Sequence, residues 1–380
     1  MTEALSGPEL RNRYFDRLFN SEGLIWMGQN TNHIPAHPAV IAAMVGSIHK
    51  GEYNAYAPPL GFESLRAAIV ADLGVEGTAL VTEGGVNALA TLCRARCRPG
   101  TTFVTSDPSW KWPGMFASQQ GAEVVELPIF GPETGYKLTP AALQAAVDES
   151  CALIYLVDPN NPLGTTYSAD EIAAFCQIAR SVGALLVHDC TYRDFAPGHT
   201  PALRIDPEVA VCSVSFSKWL GLAGMRIGAL VGAPALIGEC AGFASSVLGA
   251  GVVGQRAAEA GLKVKAEWME TVLRINRTNQ EMIRAAVAAA PGLDLLVWPS
   301  QANFLCIGTA SSGVSPEALV EAYRRRGVMI RQGTYHTARF GKDFIKVSTT
   351  VPEDWAQTFC NLLPETIEEA RGIDTVPALF

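Results

Sequence analysis

From about residue 80 to residue 232 the sequence alternates short apolar runs with amphipathic segments, and this alternation leaves few ways to fold. Runs at 79–82, 102–105, 123–127, 153–157, 185–187, 211–215 and 229–231 have the length and β-branched content of strands. Segments 86–98, 114–120, 139–147 and 169–182 carry helical spacing. Ser168 is a suitable N-cap for the last of these, because its hydroxyl can accept from a first-turn N–H. Strands that alternate with helices need crossover connections, so an α/β fold is expected, with a mostly parallel central sheet sandwiched by helices. Unbroken apolar strands such as Leu153-Ile154-Tyr155-Leu156-Val157 fit burial on both faces.

After residue 232 the pattern changes. Residues 234–289 read as mostly helical; 295–298, 303–307, 328–331 and 344–348 read as strands, with a helix at 316–326. We therefore expect a large domain over 45–275 and a smaller α+β domain built from 1–44 and 276–380. Hydrophobic residues make up 48% of the chain, which excludes a disordered chain. The formal charge of −8 argues against a nucleic-acid partner, whose phosphates need a basic face. No apolar run approaches the ~18 residues of a membrane span, and residues 1–15 lack the basic start and apolar stretch of a secretory signal. Nine cysteines, an odd number spread along the chain, read as free thiols in a reducing compartment, so a cytoplasmic protein is expected. No metal site is expected.

In an open parallel sheet, ligands bind beyond the carboxyl ends of the strands. Five strand ends here deliver Gly85, Trp110, Asn161, Asp189 and Lys218 to one edge. Gly84-Gly85-Val86 opens a helix and is either a plain turn or an anion cradle made of free backbone N–H groups. Ser215, Ser217 and Arg226 flank Lys218 and can add donors to a phosphate. A lysine in such a cluster can hold a lowered pKa and condense with an aldehyde. Asp189 can pair with a heteroaromatic N–H, Trp110 offers a face for stacking, and Asn161 and Tyr192 offer donors to a phenolate oxygen. A phosphate, an aldehyde, a pyridine nitrogen, a phenolate and an aromatic plane are the groups of pyridoxal 5′-phosphate.

These residues also carry a family resemblance. The run Ser215-Phe216-Ser217-Lys218 through Arg226-Ile227-Gly228 resembles the lysine motif of the class I/II aminotransferases, which have the fold type I of pyridoxal-phosphate-dependent transferases. Asp158-Pro159-Asn160-Asn161-Pro162-Leu163-Gly164 is similar to their Asn-Pro-Thr-Gly segment, with Leu163 in place of threonine. Asp189 and Tyr192 match an Asp-x-x-Tyr pair, and Tyr56-Ala57-Pro58-Pro59-Leu60-Gly61 with Leu65-Arg66 matches a fourth motif. The resemblance implies that Lys218 holds the cofactor as an internal aldimine and shuttles the proton at Cα. It implies Asp189 on the pyridine nitrogen, Asn161 and Tyr192 on the ring oxygen, and Trp110 stacked on the ring. It implies a phosphate held by the Gly85 and Val86 backbone, Ser215, Ser217 and Arg226. It also implies a homodimer with shared active sites, in which Tyr56 reaches the neighbouring subunit's phosphate.

The implied reaction moves an amino group between an amino acid and a 2-oxo acid, with pyridoxamine phosphate as the carrier. One departure bears on substrate. The family places an arginine, which clamps the substrate carboxylate, where Phe344-Ile345-Lys346-Val347-Ser348 has lysine. Lysine is a point charge without a fork, so the exchange is not conservative. Lys346, Asn303 and Asn30 are the expected substrate-binding residues, with Arg331 and Arg339 as other cations that could reach in. Loss of the arginine leaves a lyase, decarboxylase or cyclase on the same scaffold as an alternative.

Overall fold

The computed structural model describes residues 7–374 and 376. The start of the segment read as lacking a secretory signal, and the last residues assigned to the smaller domain, lie outside the described residues. A short strand, β1 (Ile25–Trp26), precedes the large sheet. That sheet contains β2 (Thr78–Thr82), β3 (Thr102–Asp107), β4 (Glu123–Pro128), β5 (Cys151–Val157), β6 (Leu185–Asp189), β7 (Ala210–Ser215) and β8 (Gly228–Gly232). Their order is β2-β8-β7-β6-β5-β3-β4.

Every neighbouring pair among β3 to β7 is parallel, because each connection is a crossover carrying a helix or an equivalent length of chain. β8 departs from that rule and runs antiparallel to both β2 and β7. The chain between β7 and β8 contains only a 3-10 turn, Ala223–Met225, so it doubles back without crossing the sheet. The loop it makes carries Lys218. The helix Ala169–Val182 begins as expected at Ser168, with a full capping box to Glu171.

The remaining strands are β9 (Asp294–Leu295), β10 (Phe304–Gly308), β11 (Val328–Met329), β12 (Arg331–Gln332) and β13 (Phe344–Ser348). They differ from the sequence expectation in two places. The run at 328–331 divides: β11 pairs in parallel with β1, whereas β12 joins a four-stranded sheet of order β12-β13-β10-β9. The run at 295–298 enters the ladder through β9 and the Leu296 N–H, which donates to the Cys306 carbonyl at 3.2 Å, and bends away after that. The helical stretch of 234–289 consists of Pro234–Ala241, Val252–Lys263 and Lys265–Ala288.

Buried apolar residues form two clusters. One, around Val104, Ile154, Leu186, Val211 and Leu230, fills both faces of the large sheet. The other, around Ile283, Leu305, Leu319, Tyr323, Ile345 and Phe359, lies under the four-stranded sheet. All nine cysteines are free and eight are buried. Among the described residues no helix is long and apolar enough to cross a membrane.

One close approach sets the geometry of the sheet's ligand-facing edge. Gly228 sits opposite Thr82 and Ser215, and a Cβ there would lie 2.4 Å from the Gly85 nitrogen and 2.7 Å from the Val214 oxygen. Only a residue without a side chain lets the Gly84–Gly85 turn settle onto β7 and β8. Overpacking at such a contact costs about 1–3 kcal/mol. Gly228→Ala is therefore expected to lower the midpoint of urea unfolding by an amount in that range, whereas alanine at Gly7, where nothing lies within 4 Å, leaves the midpoint in place.

Candidate active site

A cavity of about 470 Å³ opens beyond the carboxyl ends of the large sheet, between it and the four-stranded sheet. Gly85, Val86, Trp110, Asn161, Asp189, Tyr192, Ser215, Ser217, Lys218 and Arg226 all line it, as do Asn30 and Lys346. Two expected residues do not. Asn303 is fully buried behind the wall, where its side-chain amide donates to the Asn30 carbonyl (3.1 Å) and the Thr350 hydroxyl (2.8 Å). Tyr56 stands in solvent, 83% exposed.

Asp189 ends the central strand β6 and is buried. Its Oδ1 accepts from the Ser213 hydroxyl (2.8 Å), the Thr191 hydroxyl (2.7 Å) and the Thr191 N–H (3.1 Å). Its Oδ2 accepts from the Tyr155 hydroxyl at 2.8 Å. Strand register explains the set: Asp189 pairs with Ser213 on one side and Val157 on the other, with Tyr155 two residues back on the same face. The opposite face of β6 holds His188, whose Nδ1 accepts from the Ala202 N–H and whose Nε2 lies 3.1 Å from Asp158 Oδ2. His199 Nε2 lies 3.2 Å from the same oxygen, and the Thr166 hydroxyl donates to Asp158 Oδ1. Burial pushes the Asp158 pKa up, but the hydrogen bonds and charge of the two histidines outweigh it and hold the group below the usual carboxylate range. The loop that presents Asn161 is anchored in this way at its first residue.

Lys218 lies in the segment between β7 and β8, and its Nζ donates to the Gln29 carbonyl at 3.0 Å. Burial, followed by the nearby Arg226 guanidinium, lowers its pKa from 10.5 to about 8, with Asp189 pulling the other way. The neutral, nucleophilic form of the amine is thus far more populated near neutral pH than in an ordinary lysine. Asn30 stands beside it with φ of +54°, a left-handed conformation that costs a non-glycine residue about 1–2 kcal/mol. Its N–H donates to Ser348, and its amide donates to the Tyr192 hydroxyl at 2.9 Å. Asn161 Oδ1 accepts from Lys346 Nζ at 3.2 Å and, more weakly, from Asn30 at 3.4 Å. Burial, reinforced by Arg331 and Lys218, carries the Lys346 pKa well below that of an ordinary lysine, against the opposing Cys306.

The cavity also suits an anion. No side chain caps the helix Gly85–Arg96, whose N-terminus opens into the cavity beside Ser215, Ser217 and Arg226. Gly84 lies in the left-handed region, and a Cβ there would meet the Arg226 guanidinium at 2.3 Å, so the glycine leaves the space the guanidinium occupies. A phosphate with an attached aromatic aldehyde fits this donor set. It would meet the helix N-terminus, the two hydroxyls and Arg226 at one end, and Lys218, Asp189, Asn161 and Tyr192 around the ring.

Several lining residues escaped the reading from sequence. Thr191 is one; with Ser213 and Tyr155, which stand behind the wall, it holds Asp189, and the latter two were visible in the sequence only as polar atoms in otherwise apolar strands. Arg11, Phe15, Trp112, Met115, Phe116 and Tyr335 complete the wall, and Arg11 stacks on Trp112 with its guanidinium 4.1 Å from the ring centre. Arg11 and Phe15 share one face of the helix Gly7–Phe19, and Trp112, Met115 and Phe116 share one of Trp112–Gln119, a spacing that marks an apolar face without saying what it meets.

A sequence profile described as "Aminotransferase class I and II" matches residues 22–363. An aromatic amino acid aminotransferase of Corynebacterium jeikeium is 30% identical over 341 residues, covering 87% of this chain and 86% of the relative. A histidinol-phosphate aminotransferase of Methanothermobacter thermautotrophicus is 28% identical, covering 91% and 89%. Among solved structures, aspartate aminotransferase from Thermus thermophilus superposes with a TM-score of 0.82 at 21% identity, covering 96% of this chain and 97% of its own. N-succinyldiaminopimelate aminotransferase from Mycobacterium tuberculosis gives 0.84 at 22%, covering 96% and 100%.

The wiring of Asp189 can be measured. A hydrogen bond to a charged group contributes about 1.5–3 kcal/mol, so Tyr155→Phe is expected to lower unfolding stability by an amount in that range. Urea titration of both proteins checks this, and an unchanged midpoint would remove Tyr155 from the support of Asp189.

Proposed function

We propose, from the premise that this chain belongs to the class I and II aminotransferases, that it holds pyridoxal 5′-phosphate at Lys218. It has the fold type I architecture of that family and moves an amino group between an amino acid and a 2-oxo acid. The observation that carries the cofactor assignment is the facing pair of Lys218, with its lowered pKa, and the four-times hydrogen-bonded Asp189, across one cavity with an uncapped helix N-terminus.

When bound, the cofactor supplies an electron sink for the negative charge that develops at the substrate Cα. The chain's residues do the rest. Ser215, Ser217, Arg226 and the N-terminus of Gly85–Arg96 bind the phosphate. Asp189 accepts from the ring nitrogen, with its own orientation set by Tyr155, Ser213 and Thr191. Asn161 and Tyr192 donate to the ring oxygen, and Asn30 fixes the Tyr192 hydroxyl. Trp110 covers one face of the ring. Lys218 would take the proton from the substrate Cα and return it, a role suited to an amine whose pKa burial has lowered to about 8. The cationic end of the cavity receives the substrate's carboxylate.

A homodimer is part of this reading. The helix Pro38–His49 presents Ile41, Val45 and Ile48 to solvent as one apolar stripe, and Tyr53, Tyr56 and Val247, the last 87% exposed, are also uncovered. A surface of this kind marks an interface, and a second copy of the chain is its proposed occupant.

Two outcomes are expected. Adding the cofactor to apoprotein should form a borohydride-fixable link at Lys218, and the rate of link formation should rise as pH approaches about 8 and then level, since the neutral amine attacks the aldehyde. Lys218→Ala should lose the link, and an L-amino-acid panel should convert the bound cofactor of the unmodified protein to pyridoxamine phosphate. Release of carbon dioxide or ammonia with no pyridoxamine phosphate would overturn transamination. Separately, Val45→Asp should shift the sedimentation coefficient from that of a dimer to that of a monomer, and a monomeric parent protein would refute the dimer.

A further inference from the structure

Resting on the aminotransferase reading, we propose that Lys265, outside the cavity, is a positioning residue that fixes the segments bearing Lys218 and Tyr192 relative to one another. Lys265 opens the helix Lys265–Ala288 and is the hub of a group of four charges. Its Nζ lies 2.7 Å from Asp72 Oδ2 and 2.6 Å from Asp194 Oδ1. Arg193 bonds the same Asp72 oxygen and lies 3.6 Å from Asp194 Oδ1. Burial opposes the charge on Arg193, but Asp194 and Asp72 outweigh it and raise its pKa.

Each arm of this group reaches a residue of the site. Arg193 and Asp194 follow Tyr192 directly in the chain and begin the 3-10 turn Arg193–Phe195. Tying them to Asp72, on the helix Glu63–Leu73, ties down the turn that presents the Tyr192 hydroxyl. On the other arm, the Lys265 ammonium lies 4.7 Å from the centre of the Trp219 ring, and Trp219 is the neighbour of Lys218. The Trp219 carbonyl accepts from the Trp268 indole N–H (2.9 Å) and the Asn32 amide (3.2 Å). Trp268 is three residues on from Lys265, so one turn of one helix holds both the ring and the carbonyl of Trp219. Asn32 closes the circuit: its loop offers the Gln29 carbonyl to Lys218 Nζ and the Asn30 amide to the Tyr192 hydroxyl.

The arrangement suits holding the site in place, not charging it. The two cations and two anions cancel, and the charges that act on Lys218 through space are those of Arg226 and Asp189. Desolvation offsets most of the attraction in a buried ion pair, so its net stabilisation is small. Removing one partner has a larger effect, because it leaves an uncompensated charge and releases the segment that carried it. An ammonium over an indole face adds a contact that an uncharged side chain does not supply. The geometry of a reacting group must hold to about 0.5 Å, which requires support for its own segment from packed neighbours. Lys218 and Tyr192 sit on separate segments, and Lys265 contacts the immediate chain neighbourhood of each.

The test reads the Lys218 amine itself in the full-length apoprotein, through the pH dependence of its acetylation by acetic anhydride, followed by mass spectrometry. Lys265→Met and Asp194→Asn remove charges of opposite sign. Action through space alone would raise the Lys218 midpoint in the first variant and lower it in the second. Loss of positioning admits water beside Lys218, so both midpoints should rise from about 8 toward that of an ordinary lysine, by about half a pH unit or more. Arg226, Asp189, Lys346 and His33, the ionisable groups that face Lys218, are the same in both variants. Lys265→Arg keeps the charge and a face for Trp219, and should bring the midpoint back toward that of the parent. Arg180→Met breaks a surface ion pair with Asp206 and should leave the midpoint in place, which controls for general destabilisation. Lys265→Gln is read with the same expectation if the methionine variant fails to fold. A midpoint that falls or stays in place in either Lys265→Met or Asp194→Asn would overturn the proposal. So would an equal rise in Arg180→Met, or a Lys265→Arg midpoint no lower than that of Lys265→Met. Failure of the aminotransferase reading would show differently, as an unmodified apoprotein whose Lys218 titrates as stated yet forms no borohydride-fixable link with pyridoxal 5′-phosphate.

Discussion

A buried carboxyl group with unsatisfied oxygens would be costly at the centre of a sheet, and the satisfaction of Asp189 organises much of what surrounds it. Three parallel strands supply its partners: Tyr155 from β5, Ser213 from β7, and Thr191 from the turn that follows Asp189's own strand. Each donor depends on register. A slip of one residue in β5 or β7 would turn Tyr155 or Ser213 to the opposite face and leave the carboxyl group bare. The same register places His188 on the reverse face of β6, where it and His199 fix Asp158 and hence the loop bearing Asn161. One strand therefore aligns Asp189 on one face and, through His188 and Asp158, the loop that bears Asn161 on the other.

The second constraint is the reversal of direction at β8. An all-parallel sheet would carry the chain away from the cavity after β7. Here the chain turns back through Lys218 and Arg226 and pairs antiparallel, so both cations remain at the carboxyl edge. Gly228 permits the Gly84–Gly85 turn to lie against that returning strand. The helix N-terminus, the two serines and Arg226 meet at one point because a glycine allows the backbones to touch. Lys218 then sits between this positive cluster and Asp189, and burial beside Arg226 outweighs the pull of Asp189 on its pKa.

Much of the fold was legible in the chain. Buried strands of five to seven residues, the capping box at Ser168 and the strand-end polar residues are local signals, and the strands and helices of the large sheet lie close to where periodicity put them. What periodicity missed was non-local. The run at 328–331 reads as one strand, yet it divides between two sheets because β1, from a distant part of the chain, claims Val328 and Met329. Asn303 carries a motif-like signal for substrate contact, but it lies behind Asn30 and supports that residue's left-handed backbone. Tyr155 and Ser213 were visible only as polar atoms in apolar runs, with nothing to say what they would meet.

The sequence by itself determined the sheet's strands, their crossover helices and the lysine, aspartate, asparagine and tyrosine at their ends, because strand period, capping and turn chemistry act over a few residues. It also disclosed that lysine replaces arginine at position 346. Only the tertiary structure decided what surrounds that lysine. Cross-strand pairing set Arg331 beside Lys346, the approach of Gly28 oriented the guanidinium, and Asn161 took up the lysine's amine. Those relations join residues up to 303 positions apart. They depend on which strands pack together and in what register, and no local pattern along the chain encodes that choice.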